Sequence, residues 1–366
     1  MPKLQKLSIS GLRNLESAEL LPGPGFNLVY GENGSGKTSL LEAIFLLSRA
    51  KSFRSTSRAP IIQQGSSSCV LRTELDTGIG LGFSRQQNGE QITRINKNTI
   101  KSQAELIGHL PLQLINADAF KILEAGPSSR RAFLDWGVFH VEHHFLSAWQ
   151  KMQRALQNRN ALLKGRELRE QEIQAWTQEF CQHAVAVNEF RLAYLDRLGL
   201  LLQGCFEQLL PDMALSLSYE RGWDTKQSLE QHLKSRLEQD RRYGHTGAGP
   251  HRADLKIESK GLPAVDLLSR GQQKLLVIAM KFAQAALLAE LNGEQCIFLI
   301  DDLPAELDAS NQAKVLTMLA ESGEQVFVTG IAAKDLMDAL QKHEDTRLFH
   351  VKHGKINPEK VVGYQA

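Results

Sequence analysis

Cysteine is scarce in this chain and never closely spaced. The four present, Cys69, Cys181, Cys205 and Cys296, contain no C-x-x-C pair, which fits buried reduced thiols better than disulfides or a zinc site. Long apolar runs are missing as well: Cys296 to Ile300 is among the longest, far short of the roughly 20 residues that a spanning helix needs. No membrane partner is expected. The first residues, Met1 to Leu15, alternate apolar and polar side chains and lack the continuous apolar core of a secretion signal, so a cytoplasmic location is expected. Neither sign of charge dominates. With a net charge of +2, any nucleic-acid surface has to come from local clustering. There is no internal repeat and no low-complexity linker. What remains, 366 residues with 42% apolar and 23% charged content, is an ordinary globular composition long enough for two domains.

The most specific feature present is Gly31-Glu32-Asn33-Gly34-Ser35-Gly36-Lys37-Thr38, a complete G-x-x-x-x-G-K-[ST] phosphate loop. It follows the apolar run Phe26 to Tyr30 and precedes a stretch, Thr38 to Leu47, whose apolar residues recur at helical spacing. The loop is therefore predicted to join a strand end to a helix N-terminus, where backbone N–H groups and the helix dipole favour an anion. A nucleoside triphosphate is the expected ligand. Lys37 would reach its β- and γ-phosphates, and the Thr38 hydroxyl would coordinate Mg²⁺.

Along the chain three segments emerge. Residues 1 to 120 carry strand signals (Leu4 to Ser10, Phe26 to Tyr30, Cys69 to Leu75, Gly78 to Phe83, Gln91 to Ile95, Leu112 to Ile115) and read as a mixed sheet around one nucleotide site. In residues 121 to 245 helical periodicity takes over. Ile173, Trp176, Phe180, Ala184, Val187, Phe190, Tyr194, Leu198 and Leu201 form one stripe, and Phe145, Trp149, Met152 and Leu156 an earlier one, with a break at Lys164-Gly165-Arg166 between them. Two antiparallel helices are expected, the second running roughly 50 Å. From 246 to 366 strand and helix signals alternate again. The expected architecture is α/β, with an ATPase head in two chain segments and an α-helical, short coiled-coil-like domain inserted between them.

A second chemical element ends the strand-like run Cys296 to Ile300, where Asp301 and Asp302 follow. P-loop enzymes place carboxylates there to hold hydrated Mg²⁺ and to polarise the attacking water. Asp301 is the candidate metal residue and Asp302 the candidate base. About 30 residues ahead of this pair, Leu268-Ser269-Arg270-Gly271-Gln272-Gln273 begins a predicted helix. It resembles the L-S-G-G-Q signature of ABC-type ATPases, and Ala305-Glu306-Leu307-Asp308 resembles their D-loop. That likeness implies that Ser269, Gly271 and Gln272 bind the γ-phosphate held by a second subunit, with Asp308 lying across the dimer interface.

Lys37 and Ser269 are 232 positions apart, between the short spacing of transporter ATPases and the very long one of SMC proteins. With Ser10-Gly11-Leu12-Arg13-Asn14, Lys51-Ser52-Phe53-Arg54-Ser55, Gly126 to Asp135 and Gly249-Pro250-His251-Arg252, the chain resembles the bacterial RecF family of recombination mediators, related to SMC heads. The resemblance implies a protein that dimerises on ATP and binds double-stranded DNA and single-strand/double-strand gap junctions. It implies action with RecO and RecR to help load RecA in gap repair, fork recovery and SOS induction, with weak DNA-dependent ATP hydrolysis as a switch. The chain departs from the common pattern at Arg270, where glycine is usual, at Asp302, where glutamate is usual, and at Ala305, where serine is usual. A proline often found at Asn116-Ala117 is absent, Gln113 is the candidate for the Gln-loop, and Thr329-Gly330 stands where transporters carry a switch histidine. The alternatives are a transporter ATPase, disfavoured by the long helical insertion, and an SMC-like structural DNA protein with a degenerate site, disfavoured by Lys37, Thr38, Asp301 and Asp302. A GTPase is disfavoured because Asn96-Lys97-Asn98-Thr99 lacks the aspartate of the guanine-reading motif.

Candidate DNA contacts are Arg54 and Arg58, in a run with Arg49 and Lys51 that has no acid, and Lys151 and Arg154 on the first helix of the hairpin. Arg159, Lys164, Arg166 and Arg169 extend that basic bias, which suits contact with phosphates rather than bases. Arg130 and Arg131 serve equally well as packing residues, and His251 as a structural histidine or one near the nucleotide.

Overall fold

The computed structural model describes residues 2–54, 61–165, 170–337, 340 and 346–359. Two compact units divide the chain, one formed by residues 1–120 and 274–366 and the other by 121–273. Arg58, Arg166 and Arg169 lie outside the described residues.

In the first unit the N-terminal strand signals, read as a mixed sheet, divide between two sheets. Strands β1 (Leu4–Leu12), β2 (Leu15–Leu20), β4 (Ser68–Leu75), β5 (Gly80–Gln86), β6 (Gln91–Ile95) and β7 (Asn98–Ile100) form an antiparallel sheet in the order β2-β1-β4-β5-β6-β7. These strands alternate buried and exposed residues, so they cover a core on one face only. The second sheet takes β3 (Phe26–Tyr30), β8 (Leu112–Ile115), β12 (Ile297–Ile300), β13 (Gln325–Gly330), β14 (Arg347–Lys352) and β15 (Lys355–Glu359) in the order β15-β14-β3-β13-β12-β8. Its strands run parallel apart from β15, and β12 and β13 are buried along their whole length, as strands covered on both faces must be. The helix Lys37–Arg49 is buried nearly all round: Leu40, Leu41 and Ile44 share one core with Leu7, Leu71 and Phe83 of the first sheet and Leu299, Phe327 and Phe349 of the second.

The helix Arg270–Asn292 is long and apolar enough to cross a membrane, with 67% of its most apolar window buried. Leu276, Ile278, Met280 and Ala283 are core residues, and Phe282 stacks on Phe298 of β12 with ring centroids 5.0 Å apart, the behaviour of a core helix.

The second unit holds the helical hairpin. Helix Phe145–Leu163 packs on the 40-residue helix Glu170–Leu209, about 60 Å long at ~1.5 Å per residue. The two run antiparallel, since Phe145 meets Phe190 at one end and Arg159 meets Thr177 at the other. Most of the predicted stripe is buried, while Trp176, Phe190 and Leu201 are half-buried and Thr177, Asn188 and Arg191 enter the buried face. Residues 246–273, expected with the ATPase segments, group with this unit because β10 (Asp254–Ser259) pairs along its length with β9 (Leu215–Glu220) and then with β11 (Leu262–Pro263).

Several cations of this unit are internal, and Arg130 and Arg131 take the packing role. Arg130 forks onto Asp254 at 2.7 and 2.9 Å, Arg131 donates to the Ala253 carbonyl at 2.7 Å, and Arg191 forks onto Asp135 at 2.8 and 2.9 Å. His251 is structural: a ring nitrogen lies 3.0 Å from the Thr246 carbonyl, Phe180 meets its ring edge-on, and burial pushes its pKa down to about 4. Arg159 is fully buried and donates to Asp240 at 2.9 Å and Thr246 at 2.6 Å, which removes it from the DNA candidates. Breaking this pair leaves Asp240 as an uncompensated buried charge, so Arg159→Ala is expected to cost about 3–5 kcal/mol. The urea midpoint measures that loss.

Candidate nucleotide-binding site

Strand order explains why three short segments converge. β13 lies between β3 and β12, so the phosphate loop after β3 and the acids after β12 flank the end of β13. Ligands of parallel α/β sheets bind at such carboxyl ends. A cleft of about 410 Å³ opens there, lined by Gly34, Gly36, Lys37, Thr38, Asp301 and Asp302, with Arg13, Asn14 and Arg54 on its rim.

The loop is held from several sides. Lys37 donates to the Gly31 carbonyl at 2.6 Å and the Glu32 carbonyl at 3.0 Å. Asn14 donates to the Gly34 carbonyl at 2.8 Å and accepts from the Ser39 hydroxyl at 2.9 Å. The tip of the β14–β15 hairpin supplies a further brace, Gly354 N–H to the Ser35 carbonyl at 3.0 Å. Gly354 has φ +75°, and a Cβ there would lie 2.0 Å from the Asn14 carbonyl oxygen, so only glycine lets the hairpin approach.

Thr38 donates to Asp301 at 3.0–3.1 Å, so a hydroxyl and a carboxylate from the two motifs share one point. Such a pair fits Mg²⁺, which takes few protein oxygens and completes its octahedron with phosphates and water. Among the described residues no group of three or more His, Cys, Asp or Glu side chains offers a self-sufficient metal cage. Asp302 has φ +55°, in the left-handed region that aspartate tolerates better than most residues. Burial and then the neighbouring Asp301 raise its pKa. Burial lowers the Lys37 pKa, against Asp302 and Asp301, which favour the charged form.

Thr329 connects these groups. Fully buried on β13, its hydroxyl donates to Asp301 at 2.8 Å and accepts the Asp302 N–H at 2.8 Å. One side chain thus orients both carboxylate residues from the position where a histidine stands in transporters. Thr329→Val keeps the shape and removes both bonds. Outer-shell losses of this kind cost ~10–100-fold in activity. ATP hydrolysis is expected to fall by that factor with nucleotide affinity little changed, and Thr329→Ser should restore it; steady-state hydrolysis and titration calorimetry read the two effects.

Arg13 and Arg54, unassigned beyond motif likeness and a DNA candidacy, share an anchor. Glu42 is fully buried in the phosphate-loop helix and accepts from Arg13 at 2.8 and 3.0 Å and from the Ser52 hydroxyl at 2.5 Å, with Arg54 3.6 Å away. Arg54 is thereby held at the nucleotide cleft. Gln113 is buried, and its amide is bonded to Gln284 and Lys281, both at 3.2 Å; it does not line the cleft.

The signature residues belong to the second unit. Ser269 is exposed and caps helix Arg270–Asn292: its hydroxyl accepts the Gln272 N–H at 3.3 Å, and the Gln272 side chain accepts the Ser269 N–H at 2.9 Å. Gly271 has open space where a Cβ would stand. Arg270, at the usual glycine position, pairs with Glu124. Asp308 caps helix Ala309–Ser322 through the Asn311 N–H at 3.0 Å, which lowers its pKa. Lys151 and Arg154 are exposed on their helix.

A parallel sheet carrying a phosphate loop, an acidic strand end and a helical insertion defines the head fold shared by ABC-type and SMC ATPases. Residues 3–357 match the RecF/RecN/SMC N-terminal domain. The DNA replication and repair protein RecF of Pseudomonas syringae pv. tomato is 44% identical over 357 residues, covering 96% of this chain and 97% of its own. A solved structure of the recombination mediator protein RecF with ATP, in the RecFOR pathway, superposes with a TM-score of 0.86 at 25% identity over 98% of both chains. The Smc head domain of Pyrococcus furiosus shares the fold alone, with a TM-score of 0.62 at 16% identity over 99% of this chain and 97% of its own. The chain belongs to the RecF family of DNA replication and repair proteins.

Proposed function

We propose that this protein is a cytoplasmic ATP-switched recombination mediator. It binds Mg²⁺-ATP through Gly31 to Thr38 and Asp301, dimerises on it and hydrolyses it slowly in the presence of DNA, with Asp302 positioning the water. The observation that carries the nucleotide part is the Thr38–Asp301 contact beside Lys37, since it joins two distant motifs at one metal-sized point. Lys37 supplies charge to the β- and γ-phosphates, the loop N–H groups cradle them, and Thr329 holds both acids in place. Mg²⁺, when bound, neutralises the phosphate oxygens. Ser269, Gly271 and Gln272 then complete the site of a second copy, with Asp308 at the interface. The protein acts at double-stranded DNA and single-strand/double-strand junctions, with RecR and RecO, toward the loading of RecA in gap repair, fork recovery and SOS induction; the 44% identity to a DNA replication and repair protein supports the repair role, and the likeness to a recombination mediator of the RecFOR pathway supports the pathway.

ATP hydrolysis by the purified protein with and without gapped DNA tests this reading. Slow turnover raised by DNA, together with sedimentation as a dimer in a non-hydrolysable ATP analogue, is expected. Rapid turnover indifferent to DNA would point to the transporter class instead.

A further inference from the structure

In the second unit, the turn Tyr243-Gly244-His245 displays two aromatic rings. Tyr243 is 61% exposed, and Gly244, at φ +68°, closes helix Leu237–Tyr243 and turns His245 back so that the rings lie 6.0 Å apart and 42° from parallel. Three cations are adjacent to the turn in sequence or in space. Arg241 and Arg242 are exposed in the last turn of that helix, and exposed Lys164, at the end of helix Phe145–Leu163, has its Cγ 3.1 Å from where a Gly244 Cβ would stand. The acids of the same helix do not cancel this charge: Glu238 is one exposed carboxylate, and Asp240 is buried against Arg159.

The display is rigid. Beneath it Asp240 accepts the Gly247 N–H at 3.0 Å, its carbonyl accepts the His245 N–H at 3.1 Å, and Asn160 accepts both the N–H and the hydroxyl of Thr246 at 2.7 Å. A large ring held in water, instead of folded onto the protein, is poised to stack on a partner. Rings with adjacent arginines and lysines are the platforms on which unpaired bases stack while the cations follow the phosphates, independent of sequence. A duplex offers its phosphates to such a surface but keeps its base faces inside.

We propose that this turn is a single-stranded DNA platform, with Tyr243 stacking on an unpaired base and Lys164, Arg241 and Arg242 holding the flanking phosphates. The proposal rests on the DNA-binding reading above and adds a site to it. A fluorescein-labelled dT oligonucleotide and a blunt duplex, titrated into the full-length protein with anisotropy detection, separate the two. Tyr243→Ala should weaken dT binding roughly 5- to 150-fold, the range for removing one base stack, and leave duplex binding unchanged, while Tyr243→Phe stays within about twofold of wild type. Arg241→Gln with Arg242→Gln should lower the magnitude of the single-strand salt slope by about 1.4, or ~0.7 for each phosphate no longer neutralised. All these residues are exposed, so a thermal melt should be unmoved. Wild-type dT affinity in Tyr243→Ala, or an equal loss on the duplex, would overturn the platform while leaving DNA binding standing. Wild-type protein that bound neither DNA, with or without ATP, would overturn both.

Discussion

Lys37→Ala is expected to abolish nucleotide binding, and Asp302→Asn to retain binding while blocking hydrolysis. Lys37 sits in the loop at hydrogen-bond distance from the Gly31 and Glu32 carbonyls, where it can turn to phosphate oxygens. Losing two charge-assisted hydrogen bonds at ~1.5–3 kcal/mol each corresponds to at least about a 100-fold loss of affinity. In the proposed reading Asp302 positions the attacking water and does not bind the phosphates, and removing such a base costs ~10²–10⁴-fold in rate. Fluorescent-nucleotide titration and single-turnover hydrolysis separate the two variants. Equal loss of binding in both would remove the assigned roles.

Ser269→Arg is expected to spare nucleotide binding by the monomer and to abolish ATP-induced dimerisation and the DNA binding that depends on it. The serine is exposed at a helix N-terminus, and its side chain caps only its own helix. Its replacement costs the cap, about 1 kcal/mol, which does not unfold a unit of this size. Ser269→Ala loses the same cap without adding bulk or charge, so it controls for stability. If ATP joins two copies through this face, the arginine projects into the nucleotide of the partner and the pair cannot close. Sedimentation in a non-hydrolysable analogue, run for both variants, is the test. A Ser269→Arg protein that dimerised like wild type would end the trans-site reading.

The nucleotide site was legible where chemistry restricts residue type over a contiguous stretch. Gly31 to Thr38 and Asp301-Asp302 announce themselves, because few other residues bind phosphate and Mg²⁺ at those spacings, and the structure brings Thr38 and Asp301 to 3.0 Å. Residues that act through distant partners were not legible. Nothing in the local sequence marks Glu42 as buried; Arg13 neutralises it and the Ser52 hydroxyl donates to it, from either side of it in sequence. Arg159 reads as part of a basic face, since its partner Asp240 lies 81 residues away. Thr329 stood out only as a departure from histidine; its role follows from β13 lying between the other two strands. The division of the N-terminal strands into two sheets was hidden for the same reason: alternation marks a strand but not its neighbour. A short strand rich in polar residues, such as β2, leaves only a weak apolar pattern, whereas β9 alternates apolar and polar residues cleanly and goes unnoticed in a segment read as helical.

The placement of β13 makes the sheet a ruler. The phosphate loop and Asp301 issue from strands separated by one intervening strand, so the span between them is set by two interstrand spacings, about 9.6 Å in all. That length is built from backbone hydrogen bonds in a buried layer and does not stretch with loop motion. Catalytic spacing here is therefore inherited from sheet geometry. Overpacking Val326 or Val328 on β13, residues with no access to the cleft, should misregister the two halves of the site while leaving every residue that lines it untouched.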